Sequence, residues 1–437
     1  MKSKPAIVLI DAVTDWKHVI DAAKSLEFVI IAIQLPAEEL PAKFRTFLPT
    51  KSALVDAGVD YIISVDQRDV FLITQRLQIL AADADLKLMG VIPLSEIAVE
   101  VSDCVASCLS LPHNRLDRVT ARRDKGLMKN TVESSGLRIA KYARVASLQD
   151  VRDKMQSLSL NYPIVLKTPA GMSTTDVFIC SNYDDANNAL VSILGKNGPD
   201  GRNVERALLE EYIGGVEFAI NLIAFTDGDN TPPRMLVTDV WKYQKSNKAR
   251  YGQAEICLPS DHPTLLAYAC SVAKAVGIGY GAAHVEVKAE EQLDDDGSFF
   301  FTNPCLIEVG ARLSGGRKSI LTMSAVEGWN PFKALIQAHC GETCEVPQHI
   351  NYLTPNKFAR HIFLPIEKRG CIEKIELDTS SLTTLHSSAL IVKPGDTVEE
   401  TTDIISCAGF VWLLGNNKEQ VDADTYTLMS SVVISVI

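Results

Sequence analysis

The chain has 437 residues, of which 46% are hydrophobic, 22% charged and 7% aromatic. This composition is typical of a folded globular protein and excludes a largely disordered one, and at about 150 residues per domain the length predicts about three domains. The formal net charge of −11 argues against nucleic acid as a partner, because a polyanion is held by a positive field. The apolar runs are far shorter than the roughly 20 residues that span a bilayer, so we expect no membrane segment.

The first part of the chain alternates short apolar runs with amphipathic stretches. Buried strands are predicted at residues 6–10, 28–33, 61–65 and 86–92. Helices are predicted at residues 16–26, 70–82 and 95–109. This βαβ order indicates a parallel sheet. The first strand-to-helix turn lacks the Gly-x-Gly-x-x-Gly pattern that binds a pyrophosphate, so we expect no dinucleotide site there.

Ten cysteines are scattered along the chain without the dense, regular spacing of a disulfide framework. Cys104 and Cys108 lie four residues apart in a stretch suited to a helix, where buried free thiols are favoured over a metal or redox site. The first apolar run ends at Asp11 after five residues, which is too short for a signal peptide. We therefore expect free thiols and a cytoplasmic protein.

A basic cluster opens the middle of the chain. It consists of Arg115, Arg118, Arg122, Arg123 and Lys125. A solvated helix face is one interpretation of this cluster. Further on, an apolar strand ends at Lys167, and a turn of small and polar residues at 171–175 leads into a second strand, which predicts a hairpin. The ammonium and the hydroxyl and N–H donors of that turn can meet phosphate oxygens, although a lysine at a strand edge can also extend to water.

Two later strands each carry one glutamate. Glu286 lies in the apolar run 283–288 and Glu308 in the run 305–309, with a polar turn predicted at 290–298. A buried carboxylate is costly without a cationic partner, and on neighbouring antiparallel strands the two can converge on one face. Two interpretations remain open here: a pair of salt-bridged sheet glutamates, or a Mg²⁺ site completed by phosphate oxygens.

Glycine pairs accompany the acidic positions. Glu210 and Glu211 end a strand that breaks at residues 214–215 and then resumes, and such a break can expose backbone groups to a purine edge. Near the second metal candidate, Arg312 is followed by Gly315 and Gly316, whose backbone N–H groups can approach an anion closely.

His284 shares a strand face with Glu286, since the two residues are two apart. Acid–base catalysis and a contact with substrate or with the metal ligand are both open for this histidine.

The order of these features resembles the ATP-grasp superfamily over residues 115–345. Within it, the segments 284–286 and 306–316 look like the L-amino-acid ligase and carnosine synthase branch. The resemblance implies an α/β fold with an α+β ATP-grasp core. It divides the chain into an N-terminal α/β domain at 1–114, a nucleotide-side lobe at 115–207, a metal and substrate lobe at 208–345, and a small C-terminal β-rich domain at 346–437.

The resemblance also implies a role for each candidate residue. It assigns the ATP phosphates to Lys125 and Lys167, and a flap over them to Gly171, Ser173, Thr174 and Thr175. It assigns the adenine and ribose to Glu210, Glu211, Tyr212 and Ile213, with Glu217 nearby. It assigns Mg²⁺, with Mn²⁺ as an alternative, to Glu286 and Glu308. It assigns the reacting carboxylate to Arg312, Gly315 and Gly316, with His284 beside them.

Three positions depart from the family pattern. Gly310 stands where many ATP-grasp enzymes carry an asparagine metal ligand, which leaves Glu308 to hold a second metal alone. Thr174 and Asp176 stand in the flap where a serine and a glycine are common.

The function that the resemblance implies is an ATP- and Mg²⁺-dependent ligase. It joins a carboxylate to an amine, both from amino acids or small relatives, through an acyl phosphate, and it releases ADP and phosphate. A carboxylating or purine-pathway ATP-grasp enzyme and a non-catalytic ATP-binding protein are the alternatives. The expected partners are small molecules rather than a membrane or nucleic acid, and a homodimer is expected by analogy alone.

Overall fold

The structure is a computed structural model that describes residues 3–39, 45, 48–171, 176–198, 203–226, 231–245, 251–295, 297, 299–343 and 345–437. None of the helices in those ranges has the length and hydropathy needed to cross a membrane. The cysteines within them are all free.

The N-terminal region is a parallel sheet covered by helices. Its strands are β1 (Lys4–Ile10), β2 (Val29–Gln34), β3 (Tyr61–Ser64) and β4 (Leu86–Pro93). Its helices are α1 (Trp16–Ser25), α2 (Lys51–Ala57), α3 (Val70–Asp83) and α4 (Val99–Cys108). The strands lie in the order β3-β2-β1-β4 and every pairing is parallel, so the predicted parallel sheet is confirmed.

Helix α4 begins four residues later than predicted. The Ser95 hydroxyl accepts the N–H of Ala98 at 3.2 Å, and this bond closes a turn between β4 and the helix. Glu96 therefore lies in a turn at the carboxyl edge of the parallel sheet rather than on a helix face.

A second sheet is antiparallel. Its strands are β5 (Tyr142–Val145), β6 (Ile164–Lys167), β7 (Val177–Cys180) and β8 (Ala207–Glu211), in the order β5-β8-β6-β7. The helices of this part are α5 (Lys125–Glu133), α6 (Leu148–Leu158) and α7 (Tyr183–Ile193). Lys167 pairs with Val177 across β6 and β7, so the hairpin predicted around residues 171–175 is present.

The following segment forms long antiparallel strands. They are β9 (Val216–Phe225), β10 (Arg234–Lys245), β11 (Tyr251–Cys257), β12 (Gly281–Leu293) and β13 (Phe299–Gly310). Three helices accompany them: α8 (Pro263–Ala275), α9 (Lys318–Ala325) and α10 (Pro331–His339). Pairs such as Glu290 with Thr302 extend β12 and β13, so the strands continue into the segment predicted as a turn at 290–298. The polar residues of that segment are compatible with strands because the ribbon is exposed to solvent there.

The C-terminal strands are divided between this sheet and a separate three-stranded sheet. They are β14 (Phe358–Leu364), β15 (Gly370–Glu376), β16 (Leu385–Leu390), β17 (Thr397–Val398), β18 (Gly409–Gly415) and β19 (Val433–Val436), with helix α11 (Lys418–Ser431). β14 pairs with β11, which gives an eight-stranded sheet in the order β13-β12-β9-β10-β11-β14-β18-β16. The predicted β-rich character is present, and β14 connects it to the strands that carry the glutamates.

One hydrophobic cluster joins the N-terminal sheet to the central sheet. It contains Ile7 and Leu9 of β1, Ile223 of β9, and Phe332 and Ile336 of α10, all at most 1% exposed. Burial of this apolar surface fixes the two sheets to each other. The carboxyl edge of the parallel sheet, with Glu96, is thereby held beside the end of β13.

Candidate active site

Glu286 and Glu308 are direct partners across the antiparallel pair β12 and β13. Their side chains leave the sheet on the same face, as the alternation of the strands predicts. Glu286 Oε1 lies 3.2 Å from His284 Nε2, and Glu308 Oε1 lies 2.9 Å from Lys125 Nζ. Burial would raise the pKa of Glu286, but the hydrogen bond from His284 and nearby cations lower it to about 2. Glu308 thus has an ammonium beside one oxygen, and Glu286 has an imidazole nitrogen beside one of its own.

Lys125 is the first residue of α5, which begins where the Asp124 side chain accepts the N–H of Leu127. Besides Glu308, its ammonium donates to the carbonyl of Gly171 at 2.7 Å. The lysine therefore links the start of the predicted flap to a metal candidate.

Lys167, at the end of β6, pairs with Glu210 Oε1 at 2.9 Å, and Lys129 approaches the same oxygen at 3.4 Å. All three side chains are about 5% exposed or less. Burial would raise the pKa of Glu210, but the two lysines lower it. The carboxylate of Glu210 thus holds two lysines in place. Because this side chain is already engaged, only the backbone of Glu210 is available to contact a base.

The hinge predicted around Glu211, Tyr212 and Ile213 joins β8 to β9. Lys288 Nζ donates to the carbonyl of Ile213 at 2.9 Å and lies 4.9 Å from the centre of the Tyr212 ring. Gly215 has a φ of +86°, and a Cβ there would lie 2.2 Å from the carbonyl oxygen of Ala289, so only glycine fits. Further along β9, Glu217 pairs with Lys245 at 2.5 Å.

Arg312 is held by a residue that the sequence analysis did not select. Its Nε lies 2.6 Å from Glu96 Oε2, and Arg123 approaches Glu96 Oε1 at 2.8 Å. Burial would raise the pKa of Glu96, but the two guanidinium groups lower it to about 2. A Cβ on Gly310 would lie 3.1 Å from Glu96 Oε2. Glycine at this departure from the family pattern therefore leaves room for the carboxylate that orients Arg312.

The basic cluster before α5 is divided between surface and interior. Arg122 is fully buried and pairs with Asp103 at 2.8 Å, and Arg123 and Lys125 are buried as well. Arg115 is exposed and pairs with Asp117. The interpretation as a solvated helix face is therefore wrong for the three buried cations, each of which meets a buried acidic group or the cleft.

His284 belongs to a chain of hydrogen bonds on one sheet face. Its Nδ1 lies 2.7 Å from Asn221 Oδ1, and the amide nitrogen of Asn221 donates to Asp239. Asp239 also accepts from Trp241 Nε1 at 2.6 Å. Because Asp239 receives the amide N–H, the Asn221 oxygen must face His284, so Nδ1 carries a proton. The other ring nitrogen, Nε2, faces Glu286.

The candidate residues come together in one cleft of about 230 Å³. Every candidate that the structure describes lines it: Lys125, Lys167, Gly171, Glu210, Glu211, Tyr212, Ile213, Glu217, His284, Glu286, Glu308, Arg312, Gly315 and Gly316. The flap residues Ser173, Thr174 and Thr175 lie outside the described residues. Val165, Val177, Ile179 and Ile307 supply apolar walls, as a site for a flat base requires.

The glutamate pair has the chemistry of a magnesium site. Two carboxylates on one face are hard oxygen donors. Over the described ranges, no group of three or more His, Cys, Asp or Glu side chains forms a metal site. The pair therefore fits a cation whose remaining positions are filled by phosphate oxygens and water, as Mg²⁺ prefers with nucleotides.

A family comparison agrees with this site. Residues 160–315 match the family described as the ATP-grasp domain. The chain contains an ATP-grasp domain. The superfamily predicted from the sequence is thereby confirmed, and the matched residues include the hinge, both metal candidates and Arg312.

Several known proteins are similar to the chain over nearly its whole length. Dapdiamide A synthase of Enterobacter agglomerans is 26% identical over 456 residues, which cover 98% of each protein. The L-amino acid ligase of Bacillus licheniformis superposes with a TM-score of 0.73 at 19% identity over all of both chains. Carboxyaminoimidazole ribonucleotide synthase of Aspergillus clavatus, solved with ATP, gives 0.65 at 13% identity over 98% of both chains. The α/β fold predicted from the sequence is confirmed.

Several residues of the site were not selected from the sequence. Lys129 had a local signal, because it follows Lys125 by four residues and shares its helix face. Glu96 had a weaker one, since an acidic residue just after a parallel strand lies where such sheets bind ligands. Lys318 had a weak signal, because it follows the Gly315–Gly316 pair closely in the sequence. Lys245, Lys288 and His361 had no local signal that distinguishes them from other strand residues.

Proposed function

We propose that this chain is an ATP-dependent ligase that joins a carboxylate to an amine and releases ADP and phosphate. The observation that carries the proposal is the cleft itself, in which the lysines, the glutamate pair and Arg312 of the ATP-grasp domain face one space. Similarity over the full length to dapdiamide A synthase and to an L-amino acid ligase supports amino acids as the substrates. The resemblance of the sequence to the ATP-grasp superfamily implies the same function.

The nucleotide binds between the two antiparallel sheets in this proposal. The hinge at Glu211, Tyr212 and Ile213 offers backbone groups to the adenine, and Glu217 lies on the ribose side. Lys125 and Lys167 bind the phosphates. Their present partners are glutamates, so phosphate oxygens take over part of the charge pairing when the nucleotide enters.

Glu286 and Glu308 hold Mg²⁺ in the same proposal, and that ion supplies positive charge to the phosphate oxygens. Arg312 offers its remaining donors to the reacting carboxylate, and Gly315 and Gly316 offer backbone N–H groups nearby. The carboxylate accepts the terminal phosphoryl group of ATP to give an acyl phosphate and ADP. The amine then attacks the carbonyl carbon, and phosphate leaves as the amide forms.

His284 orients Glu286 in this scheme, because both its ring nitrogens are engaged by groups of the site. Its partners Asn221 and Asp239 are buried, which restricts the ring to one orientation. We also propose that the enzyme is cytoplasmic and acts on small molecules, as expected from the sequence.

The test is ADP release from the full chain with Mg²⁺ and ATP across a matrix of amino acids, with product masses read for active pairs. Release that requires two amino acids, with a product mass equal to their sum minus water, supports the proposal. Release that requires bicarbonate instead would assign the chain to the carboxylating alternative. If the chain bound ATP but released no ADP with any pair of amino acids, the non-catalytic alternative would remain.

A further inference from the structure

The end of the cleft next to the C-terminal strands is walled by aromatic rings. Tyr243 of β10 and Tyr251 of β11 have centroids 5.1 Å apart, and Tyr251 lies 5.2 Å from Phe363 of β14. These three side chains are at most 5% exposed, yet all line the cleft together with Ile404. The apolar walls named above, Val165, Val177, Ile179 and Ile307, belong to other elements, so these rings form a second apolar surface of the same cleft.

Lys318, the first residue of α9, lines the cleft at the same end. It is 3% exposed, and its nearest hydrogen-bond contact is the carbonyl of Gly315 at 3.5 Å. It lies 5.2 Å from the centre of the Tyr243 ring. No carboxylate of the described residues lies within ion-pair distance of its ammonium, in contrast to Lys125, Lys167 and Lys245.

The surroundings of Lys318 are those of a cation that lacks its counter-ion. Burial lowers the pKa of its ammonium to about 8, and the attraction of Glu286 and Asp239 from farther away only partly opposes this. A buried ammonium is stabilised when a carboxylate enters beside it. Arg312 is paired with Glu96 at 2.6 Å, whereas Lys318 has no such partner among the described residues and lies 5.2 Å from the centre of the Tyr243 ring, so the two cations suit two different carboxylates.

His361 of β14 completes the wall. Its ring is fully buried and packs on Phe363 at 4.1 Å and on Trp412 at 5.1 Å between centroids. Neither ring nitrogen has a hydrogen-bond partner among the described residues. Trp412 Nε1 donates to the carbonyl of Gly316 at 2.9 Å, which ties the glycine pair to this wall.

We propose that Lys318 binds the carboxylate that does not react, on an amine substrate whose side chain is aromatic or large and apolar. Tyr243, Tyr251 and Phe363 surround that side chain. This inference rests on the proposed function and deepens it, because it gives the C-terminal strands the task of selecting the amine substrate. An apolar side chain gains from burial against these rings, whereas a charged one loses its hydration there.

The experiment measures the binding of two ligands to the unaltered full chain and to three variants of it, by calorimetric titration with Mg²⁺ and ADP. The probes are L-phenylalanine and L-phenylalaninamide, which differ in the carboxylate alone. We expect the unaltered chain to bind the acid about 10- to 100-fold more tightly than the amide. Lys318→Met should bind both with similar affinity. Lys318→Arg should retain part of the preference, and Lys368→Met, an exposed lysine on another surface, should retain all of it.

A second arm tests the side-chain wall. The unaltered chain should bind L-phenylalanine at least about 10-fold more tightly than L-alanine, and Phe363→Ala should reduce that ratio several-fold. A Lys318→Met chain that melts normally and still prefers the acid would overturn the carboxylate assignment. Equal binding of alanine and phenylalanine by the unaltered chain would overturn the aromatic assignment.

The two proposals fail in distinguishable ways. No amide product from any pair in the ADP-release matrix would remove the ligase function. Amide products from small amino acids alone, with no binding of L-phenylalanine, would leave the ligase function in place and remove this inference.

Discussion

The two ends of the cleft hold their cations in different ways. At the end proposed to bind the nucleotide, Lys125 and Lys167 are each within 2.9 Å of a glutamate oxygen. At the C-terminal end, Lys318 is equally buried and has only a carbonyl contact at 3.5 Å. Lys125 and Lys167 are therefore positioned by their glutamate partners before any ligand arrives, whereas Lys318 has no such partner among the described residues.

This difference shows which end of the cleft can use its binding energy to discriminate among substrates. In the proposed function, phosphates compete with Glu308 and Glu210 for these lysines, and they bring enough negative charge and a metal ion to do so. A single carboxylate brings much less charge, and an unpaired ammonium lets it bind without displacing a protein group. The unpaired end is therefore suited to discriminate among small substrates.

The largest expected effect is at the end of the cleft where Lys125 and Lys167 are paired with glutamates. Glu308→Gln removes both a metal ligand and the partner of Lys125, so we expect ADP formation to fall by on the order of 10³-fold or more while the fold persists. Steady-state ADP release at saturating Mg²⁺ and a thermal melt measure this. The control is Glu290→Gln, a glutamate on the same strand pair that is exposed and outside the cleft. Near-normal turnover of Glu308→Gln would contradict the metal assignment.

The next effect lies between the two ends, at Arg312. Its planar guanidinium can meet Glu96 and a substrate carboxylate with different donors, whereas lysine offers a point charge. Arg312→Lys should leave ATP affinity within a few fold and lower kcat by on the order of 10²-fold. If Arg312 serves only to neutralise Glu96, the variant will melt at a lower temperature with kcat intact. Kinetics and a melt on one variant separate the two roles.

Much of the fold and part of the site could be predicted from local sequence. The parallel N-terminal sheet follows from runs with clear periodicity, and Glu286 and Glu308 stand out because a carboxylate is unusual in an apolar strand. The pairing of β14 with β11 could not be predicted, since it joins residues about a hundred positions apart and depends on global packing. His361 enters the cleft through that pairing alone.

Glu96 shows a second limit of local sequence. Its turn lies after β4, far from Arg312 in the chain, and only the shared core of the two sheets brings the residues to 2.6 Å. Gly310 looked like a missing metal ligand, whereas in the structure it provides space for Glu96. A departure from a family pattern was visible in the sequence, but its physical reason required the neighbouring domain.

The Glu96 contacts give a pH dependence of stability. Its pKa is about 2 in the folded chain against an ordinary value of 4.5, so its contribution is fully present above pH 4.5 and is lost as the pH falls toward 2. The size of that contribution is about 3 kcal/mol. We expect Glu96→Gln to be less stable than the unaltered chain at pH 6, and the difference to shrink between pH 5 and pH 3.

Urea unfolding at several pH values measures that difference, with Glu133→Gln as the control because Glu133 is exposed. A stability difference that stays constant from pH 6 to pH 3 would mean that Glu96 acts through packing rather than through its charge.

The smallest expected effect is at His361, which lines the cleft and whose two ring nitrogens have no hydrogen-bond partner among the described residues. Burial and the nearby cations Lys318 and Arg317 lower the pKa of His361 well below its ordinary value, so the ring is neutral and offers one donor and one acceptor. A phenolic hydroxyl at the end of an aromatic side chain can form a hydrogen bond with either nitrogen.

His361→Phe keeps the ring packing and removes both groups, so the preference for L-tyrosine over L-phenylalanine should fall by about 5-fold. The ratio of the two dissociation constants measures this, and Phe410→Leu, which alters packing on the same ring without changing its nitrogens, serves as the control. An unchanged ratio in His361→Phe would limit the histidine to a packing role and leave substrate selection to Lys318 and the surrounding rings.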